Sequence, residues 1–181
     1  MVPILLQDGE HGIGLGHEEF KVRFLEICEK HLKEKRAKAF AIVFCDLGQS
    51  LTASVLQSRH GFKELNDLSG RELTVFYLHL QAHGEAGESF NAHFLEALGV
   101  QGQVPPPCVV CFRVYGNEVD DIDFHEIDER SGDGVLVLEQ VKRHLSAYVE
   151  EMGKQGDISA LPRPKTLLAV FRLLGLGKPL I

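Results

Sequence analysis

The chain has 181 residues, of which 44% are hydrophobic and 25% are charged. This length suits one well-packed domain, and the composition excludes a collagen-like chain, a disordered chain and a disulfide-rich miniprotein. The net charge of −7 argues against general binding of nucleic acid, because a surface that follows phosphates needs a surplus of Lys and Arg.

Three apolar runs alternate with helical patterns in the first half of the chain. The predicted strands are Val2–Leu6, Ala39–Cys45 and Glu72–Leu80, and the predicted helices cover residues 17–38, 49–60 and 89–98. The second helix has Ser50 or Thr52 as its cap and Gly61 as the residue after its last turn. Strands that are separated by helices predict a parallel sheet.

The pattern changes after residue 107, where two strands follow each other directly. Cys108–Val114 and Val119–Ile127 are joined by too few residues for a parallel crossover and therefore predict an antiparallel hairpin. In the second strand Ile122 and Phe124 alternate with polar residues, which is typical of a sheet edge. A last helix is predicted over Gly134–Met152. The predicted fold is α/β, in the order βαβαβαββα, with a mixed central sheet and helices on both faces.

This order, a parallel β-α-β part followed by a β-β-α part, resembles the thioredoxin superfamily over about residues 1–152. In that family a proline, usually cis, stands just before the first strand of the hairpin. Here Pro105-Pro106-Pro107 precedes Cys108-Val109-Val110-Cys111-Phe112, and Pro107 is the best counterpart. The resemblance implies a thioredoxin-like domain over residues 1–152, followed by a C-terminal extension over residues 153–181.

The redox members of that family carry a Cys-x-x-Cys where a central strand meets the next helix, because a helix N-terminus lowers the pKa of a thiol. Here the junction reads Asp46-Leu47-Gly48-Gln49-Ser50-Leu51-Thr52 and contains no cysteine. The resemblance therefore implies the fold without the dithiol activity. We expect a protein-interaction or assembly module with no cofactor, rather than an enzyme.

Cys108-Val-Val-Cys111 has the redox spacing and supports an alternative function, a thiol-disulfide oxidoreductase. The pair lies in a predicted strand, where side chains three positions apart point to opposite faces. Two small core residues are therefore the simpler interpretation. A zinc site that joins these cysteines to His79 and His83 would need all four to converge, and a single Cys-x-x-Cys is weak evidence for one. No metal ligand is assigned.

A glycine-rich segment, His11-Gly-Ile-Gly-Leu-Gly-His17, supports a further alternative, a nucleotide-binding enzyme. Gly12–Gly16 lies between a predicted strand and a predicted helix, where backbone N–H groups can hold phosphates. Glu18 and Glu19 follow at the positive end of the helix dipole and would repel a phosphate. A turn is the simpler interpretation.

Polar residues at the strand ends are the remaining site candidates. Asp46 and His79 end two predicted strands, where open α/β sheets place their sites, and Gln49, Ser50 and Pro107 lie at the same edge. An acidic run covers the hairpin and the segment after it: Glu118, Asp120, Asp121, Asp123, Glu126, Asp128, Glu129 and Asp133. The run lacks the spacing of a calcium loop, and charge on an edge strand discourages pairing with other chains.

The segment after Gly153 reads as a linker followed by a short apolar helix over Thr166–Gly175 with basic residues around it. Such a helix must be covered by its own domain, by a second subunit or by a partner, and its basic flanks also permit contact with a membrane surface. We expect a protein partner or self-association, as in a homodimer, through four of its apolar residues: Leu167, Leu168, Phe171 and Leu174.

The residue pattern also predicts a cytoplasmic protein without a membrane span. The first ten residues have no basic region before their apolar run, unlike an export signal. The nearest candidate for a span, Leu167–Leu176, is interrupted by Arg172 and is shorter than the roughly 18 residues that a spanning helix needs. The 4 cysteines are too few for a secreted disulfide framework, so we expect reduced thiols.

Overall fold

The computed structural model describes residues 1–5, 13–14, 30, 33–34, 39–45, 50–69, 72–79, 91–92, 94–96, 98–115 and 118–154. Within these ranges the strands are β1 (Val2–Leu5), β2 (Ile13–Gly14), β3 (Ala39–Phe44), β4 (Leu73–His79), β5 (Cys108–Tyr115) and β6 (Glu118–Glu126). The helices are α1 (Leu51–Gln57), α2 (Arg59–Leu68) and α3 (Gly134–Lys154). Residues 91–92 and 94–96 are also helical.

These strands form one mixed sheet in the order β2-β1-β4-β3-β5-β6. β1 and β3 both pair in parallel with β4, whereas β5 is antiparallel to β3 and β6 is antiparallel to β5. The predicted α/β class, mixed sheet and hairpin are confirmed. β6 pairs with β5 alone within the described sheet, so its alternating pattern correctly predicts an edge strand.

The central strands are mainly apolar because side chains on both of their faces are buried, with Thr74 and Arg113 as buried polar exceptions. Alternate residues of these strands form a core with the three named helices; the strand members are Ala39, Ala41, Val43, Leu73, Val75, Tyr77, Val109 and Cys111. On the opposite face the ring of Phe40 stacks on Phe76 and Phe112, with centroids 6.3 and 5.9 Å away. Alternate residues along each central strand therefore lie on the face covered by these helices, and the residues between them lie on the opposite face.

The helix predicted over residues 49–60 is wrong in one respect, because the chain forms two helices there. Ser58 ends α1 and caps α2, and its Oγ accepts a hydrogen bond from the N–H of Gly61 at 3.0 Å. Gly61 therefore lies in the first turn of α2 and does not follow the end of a helix. A Cβ at this position would lie 2.3 Å from the carbonyl oxygen of Val55, so the glycine permits close approach of the two helices.

The predicted turn at the glycine-rich segment is wrong at Ile13 and Gly14, which pair in parallel with Ile4 and Leu5 of β1. Because their backbone groups pair with β1, Ile13 and Gly14 form a short strand instead of a turn. The other residues of Gly12–Gly16 lie outside the described residues, as does most of the helix predicted over residues 17–38. No helix in the described part of the chain is long and apolar enough to cross a membrane.

Candidate functional site

The end of β3 and the start of β5 meet at one edge of the sheet, where Phe44 pairs with Cys108. Of the predicted site residues, Ser50 and Pro107 are described in full at this edge. His79 is the last residue of β4, and its side chain lies outside the described part. Asp46, Gln49 and His83 fall outside the described residues.

Ser50 is the N-cap of α1, as the sequence predicts, and a distant carboxylate shares this position. The Oγ of Ser50 accepts from the N–H of Ala53 at 3.3 Å and donates to Oε1 of Glu129 at 2.7 Å. The N–H of Thr52 donates to the same Oε1 at 2.6 Å. A carboxylate therefore occupies the positive end of α1, where an anion is favoured.

The hydrogen bonds to Glu129 determine its charge state. Burial raises the pKa of this carboxyl, but the hydrogen bonds from Thr52, Ser50 and the backbone of Leu51 outweigh that effect, and the pKa lies below its ordinary value of 4.5. Glu129 is therefore anionic at neutral pH. Its place in the sequence does not reveal this contact, because it is one carboxylate in an acidic run and Ser50 lies 79 positions away.

Replacing Glu129 with Gln is expected to lower the free energy of unfolding by about 1 kcal/mol at pH 7, because charged acceptors form the stronger hydrogen bonds. The folded-state pKa lies below the unfolded value, so the charge stabilises the fold above pH 4.5 and this contribution is lost as the pH falls through the folded pKa. Urea denaturation of Glu129→Gln and the parent chain at pH 7 and in acid measures the difference. The difference in the free energy of unfolding between the two proteins should shrink in acid. Equal stability of the two proteins at pH 7 would contradict a stabilising role for the charge of Glu129.

Cys108 and Cys111 lie in β5, as predicted, and both are fully buried free thiols. Cys111 belongs to the core under the helices, and strand geometry places Cys108 on the other face. Burial raises the pKa of Cys108 to about 12, with Cys45 and Glu126 adding to the rise. Burial, together with Asp123, also raises the pKa of Cys111 well above its usual range. Both thiols therefore stay protonated at neutral pH, and the side chains of Cys108 and Cys111 do not face one another.

Pro107 stands directly before β5, and the Pro106–Pro107 peptide bond is cis. The carbonyl oxygen of Pro107 accepts a hydrogen bond from the N–H of Ile127 at 2.8 Å. Ile127 is itself 2% exposed. This bond joins the loop before β5 to the residue that follows β6, so the proline segment is held against the sheet.

A cleft of about 630 Å³ lies beside the proline segment. Asn91, Ala92 and Leu95 of the helical residues line it, and the loop that follows contributes Gln101, Gly102, Val104, Pro105 and Pro106. None of these side chains is charged, and the lining is mainly apolar. Leu95 and Val104 are buried in its wall, whereas Ala92 is exposed. Such a surface suits an apolar ligand group.

Asn91 is a buried polar residue in the lining of this cleft, and no motif in the sequence marks it. Its Nδ2 donates to the carbonyl oxygen of Cys45 at 3.0 Å, which ties the helical segment to the end of β3. Asn91 is 5% exposed, and its buried Oδ1 has no hydrogen-bond partner. A buried acceptor without a donor costs about 1–3 kcal/mol, and this oxygen is enclosed by the protein rather than open to the cleft.

Neither a metal-binding cluster nor a known family assigns a function to this sheet edge. Among the described residues, no group of three or more His, Cys, Asp and Glu side chains is arranged to hold a metal ion. Comparison of the chain with known protein families, with curated proteins and with solved structures finds no match. The geometry of the sheet edge and the cleft is thus the basis for a function.

Proposed function

We propose that this protein is a thioredoxin-like interaction module that binds protein segments and has no dithiol chemistry. The fold part of the proposal is supported by the parallel arrangement of β1, β4 and β3, followed by the antiparallel hairpin of β5 and β6 and by α3. The cis bond at Pro107 lies where the resemblance implies one. Both features lie in the part of the chain that the resemblance covers, about residues 1–152.

The absence of dithiol chemistry is supported by what occupies the start of α1. In a redox member this position lowers the pKa of a thiol, but here it holds Ser50 and the carboxylate of Glu129. A second anion beside Glu129 would be repelled. The cysteines with the redox spacing lie instead inside β5, where their pKa values are raised.

The cleft beside the proline segment is the observation that carries the binding function. Its mainly apolar wall offers a place for an apolar side chain, and the exposed amide of Gln101 in the same lining can form hydrogen bonds. A protein segment supplies complementary groups, since each non-proline residue has a main-chain N–H and C=O beside its side chain. Clefts that are mainly apolar with few polar groups are typical binding sites.

A phage-displayed library of random peptides tests this function on the full chain. We expect enriched peptides that share an apolar residue and that bind Ala92→Trp about tenfold more weakly, because the indole fills the cleft. Glu96→Ala is the matched control, since Glu96 is exposed on the same helical segment and does not line the cleft. A library without enriched peptides, or peptides that bind Ala92→Trp as well as the parent chain, would contradict the proposal.

The C-terminal segment is a second contact element in this proposal. Leu167, Leu168, Phe171 and Leu174 lie outside the described residues, so contact with a protein partner through them stays a prediction. Its support is the apolar sequence, which needs a covering surface.

A further inference from the structure

Two histidines lie at the contact between the edge strand β6 and the helix α3. The rings of His125 in β6 and His144 in α3 are stacked, with centroids 5.2 Å apart and planes inclined by 19°. In the sheet His125 pairs with Val109 and Asp123 pairs with Cys111, and both partners belong to the core under the helices. The stack therefore joins the edge of the sheet to the last described helix.

His144 is enclosed at this contact, and its Nε2 makes no hydrogen bond. The side chain is 12% exposed, and Nε2 is buried without a hydrogen-bond partner. The carboxylate oxygen Oδ2 of Asp123 lies 3.8 Å from Nε2, which is beyond hydrogen-bond distance. The side chain of Asp123 is itself 58% exposed, so solvent screens its charge. A proton on His144 would therefore enter a buried position with weak compensation.

The titratable groups around His144 come from three elements. β6 contributes Asp123 and His125, β5 contributes Cys111 beside Asp123, and α3 contributes Tyr148 one turn further along the helix. Burial raises the pKa of Cys111, so this thiol is uncharged at neutral pH. The hydroxyl of Tyr148 donates to a backbone carbonyl oxygen of β6 at 2.7 Å. Of these four groups, Asp123 supplies the anion that favours a proton on His144.

Acid opposes the packing of β6 against α3 at this contact. Burial lowers the pKa of His144 below its ordinary value of 6.5; the charge of Asp123 opposes this effect, and His125 adds to it. A form in which water reaches His144 takes up a proton more readily, so its population rises as the pH falls. The stabilisation from neutral His144 is present above pH 6.5 and is lost as the pH falls through the folded pKa. A second proton, on His125, would place two cations on rings 5.2 Å apart, where like charges repel.

We propose that the stacked pair of His125 and His144 is an acid-sensitive latch between β6 and α3. With both rings neutral, the stack holds the edge strand against the helix. Protonation separates the rings and loosens the contact between β6 and α3, in the pH range where imidazole ordinarily changes its charge. The latch shares no residue with the cleft beside Pro106, so the latch and the binding function can each fail without the other.

Hydrogen exchange of the full chain, read out by mass spectrometry at pH 7.5 and pH 5.0, tests the latch. Protection factors correct for the pH dependence of the exchange chemistry itself. In acid they should fall about fivefold in peptides from β6 and from the last turns of α3. Peptides from β3 should keep their protection, because this strand is central. Unchanged protection of β6 and α3 at pH 5.0, or an equal loss in β3, would overturn the proposal.

His144→Phe separates the latch from general effects of acid, because phenylalanine retains a ring for stacking and does not titrate. The protection factors of β6 and α3 should then be equal at the two pH values. His60→Phe is the matched control, since His60 is exposed on α2 and its replacement should leave the loss in acid unchanged. Circular dichroism establishes folding, and His144→Gln, which is also uncharged, gives the same test if His144→Phe is unfolded. A loss in acid that persists in the folded variant at position 144 would contradict the latch.

Discussion

Replacing Gly61 with alanine is expected to lower the free energy of unfolding by about 2 kcal/mol. The added Cβ would lie 2.3 Å from the carbonyl oxygen of Val55 and 2.9 Å from its Cγ1. Because the nearest atom belongs to the backbone of α1, two helices must move apart, at a cost of about 3 kcal/mol. Alanine gains about 1 kcal/mol in helix propensity over glycine, which offsets only part of this cost.

Thermal and urea unfolding followed by circular dichroism measure this change. A loss of about 2 kcal/mol corresponds to a fall of roughly 4–8 °C in Tm for a chain of this size. Gly134→Ala is the matched control, because its nearest contact would be the side chain of the same Val55 at 3.1 Å. It should change stability by less than about 1 kcal/mol. A Gly61→Ala variant as stable as the parent chain would contradict the close approach of α1 and α2.

Replacing Asp121 with alanine is expected to cost about 3 kcal/mol, the largest single effect that we predict. The substitution removes the ion pair with Arg113, whose side chain is 6% exposed. Removing one partner of a buried pair costs about 3–5 kcal/mol, and the partial exposure of Asp121 reduces that figure. The left-handed backbone, with a φ of 51°, adds a cost of about 1 kcal/mol that aspartate tolerates better than alanine.

Asp121→Asn is the control for this substitution. Asparagine tolerates the left-handed region and keeps an oxygen acceptor for Arg113, so the loss should be about 1 kcal/mol. Both variants are compared by urea denaturation at neutral pH. Equal losses of unfolding free energy in the two variants would show that the charge of Asp121 alone matters. The predicted contribution of its left-handed backbone would then be contradicted.

The strands could be predicted from sequence because burial determines which residue types occupy them. β3 is apolar throughout, and β4 is apolar apart from Thr74 and its last residue, His79, since both strands lie between neighbouring strands. β6 alternates between apolar and polar residues, since it lies at the edge. The short connection between β5 and β6 predicts their antiparallel pairing, because a parallel crossover needs more residues.

The helical corner at Ser58 shows where local patterns are ambiguous. Glycine favours both the end of a helix and the close approach of two backbones, and its place after an apolar helical pattern predicts the first role, whereas Gly61 has the second. Ser58 distinguishes the two roles. A serine at a helix N-cap accepts a hydrogen bond from the N–H three positions later, and the N–H of Gly61 donates to Oγ of Ser58 in this way. An N-cap at Ser58 predicts a helix that begins at Arg59, which is where α2 begins.

Glu129 and Asn91 could not be predicted as site residues, because their roles depend on contacts between distant positions. Glu129 reaches Thr52 across 77 positions, and Asn91 reaches Cys45 across 46. Ser50 was identified, since its role as a cap is local. The cleft itself requires that the helical residues near Asn91 and the loop at Pro105 be brought together, and local sequence patterns do not show that these two segments meet.

Native alkylation of the cysteines, read out by mass spectrometry, tests the claim that this fold works without a dithiol. The full chain is treated with iodoacetamide at neutral pH, with and without denaturing urea. The raised pKa values and burial of Cys108 and Cys111 predict that both remain unmodified in the folded protein and react fully in urea. Rapid modification of either thiol in the native chain, or a disulfide between positions 108 and 111, would contradict the account.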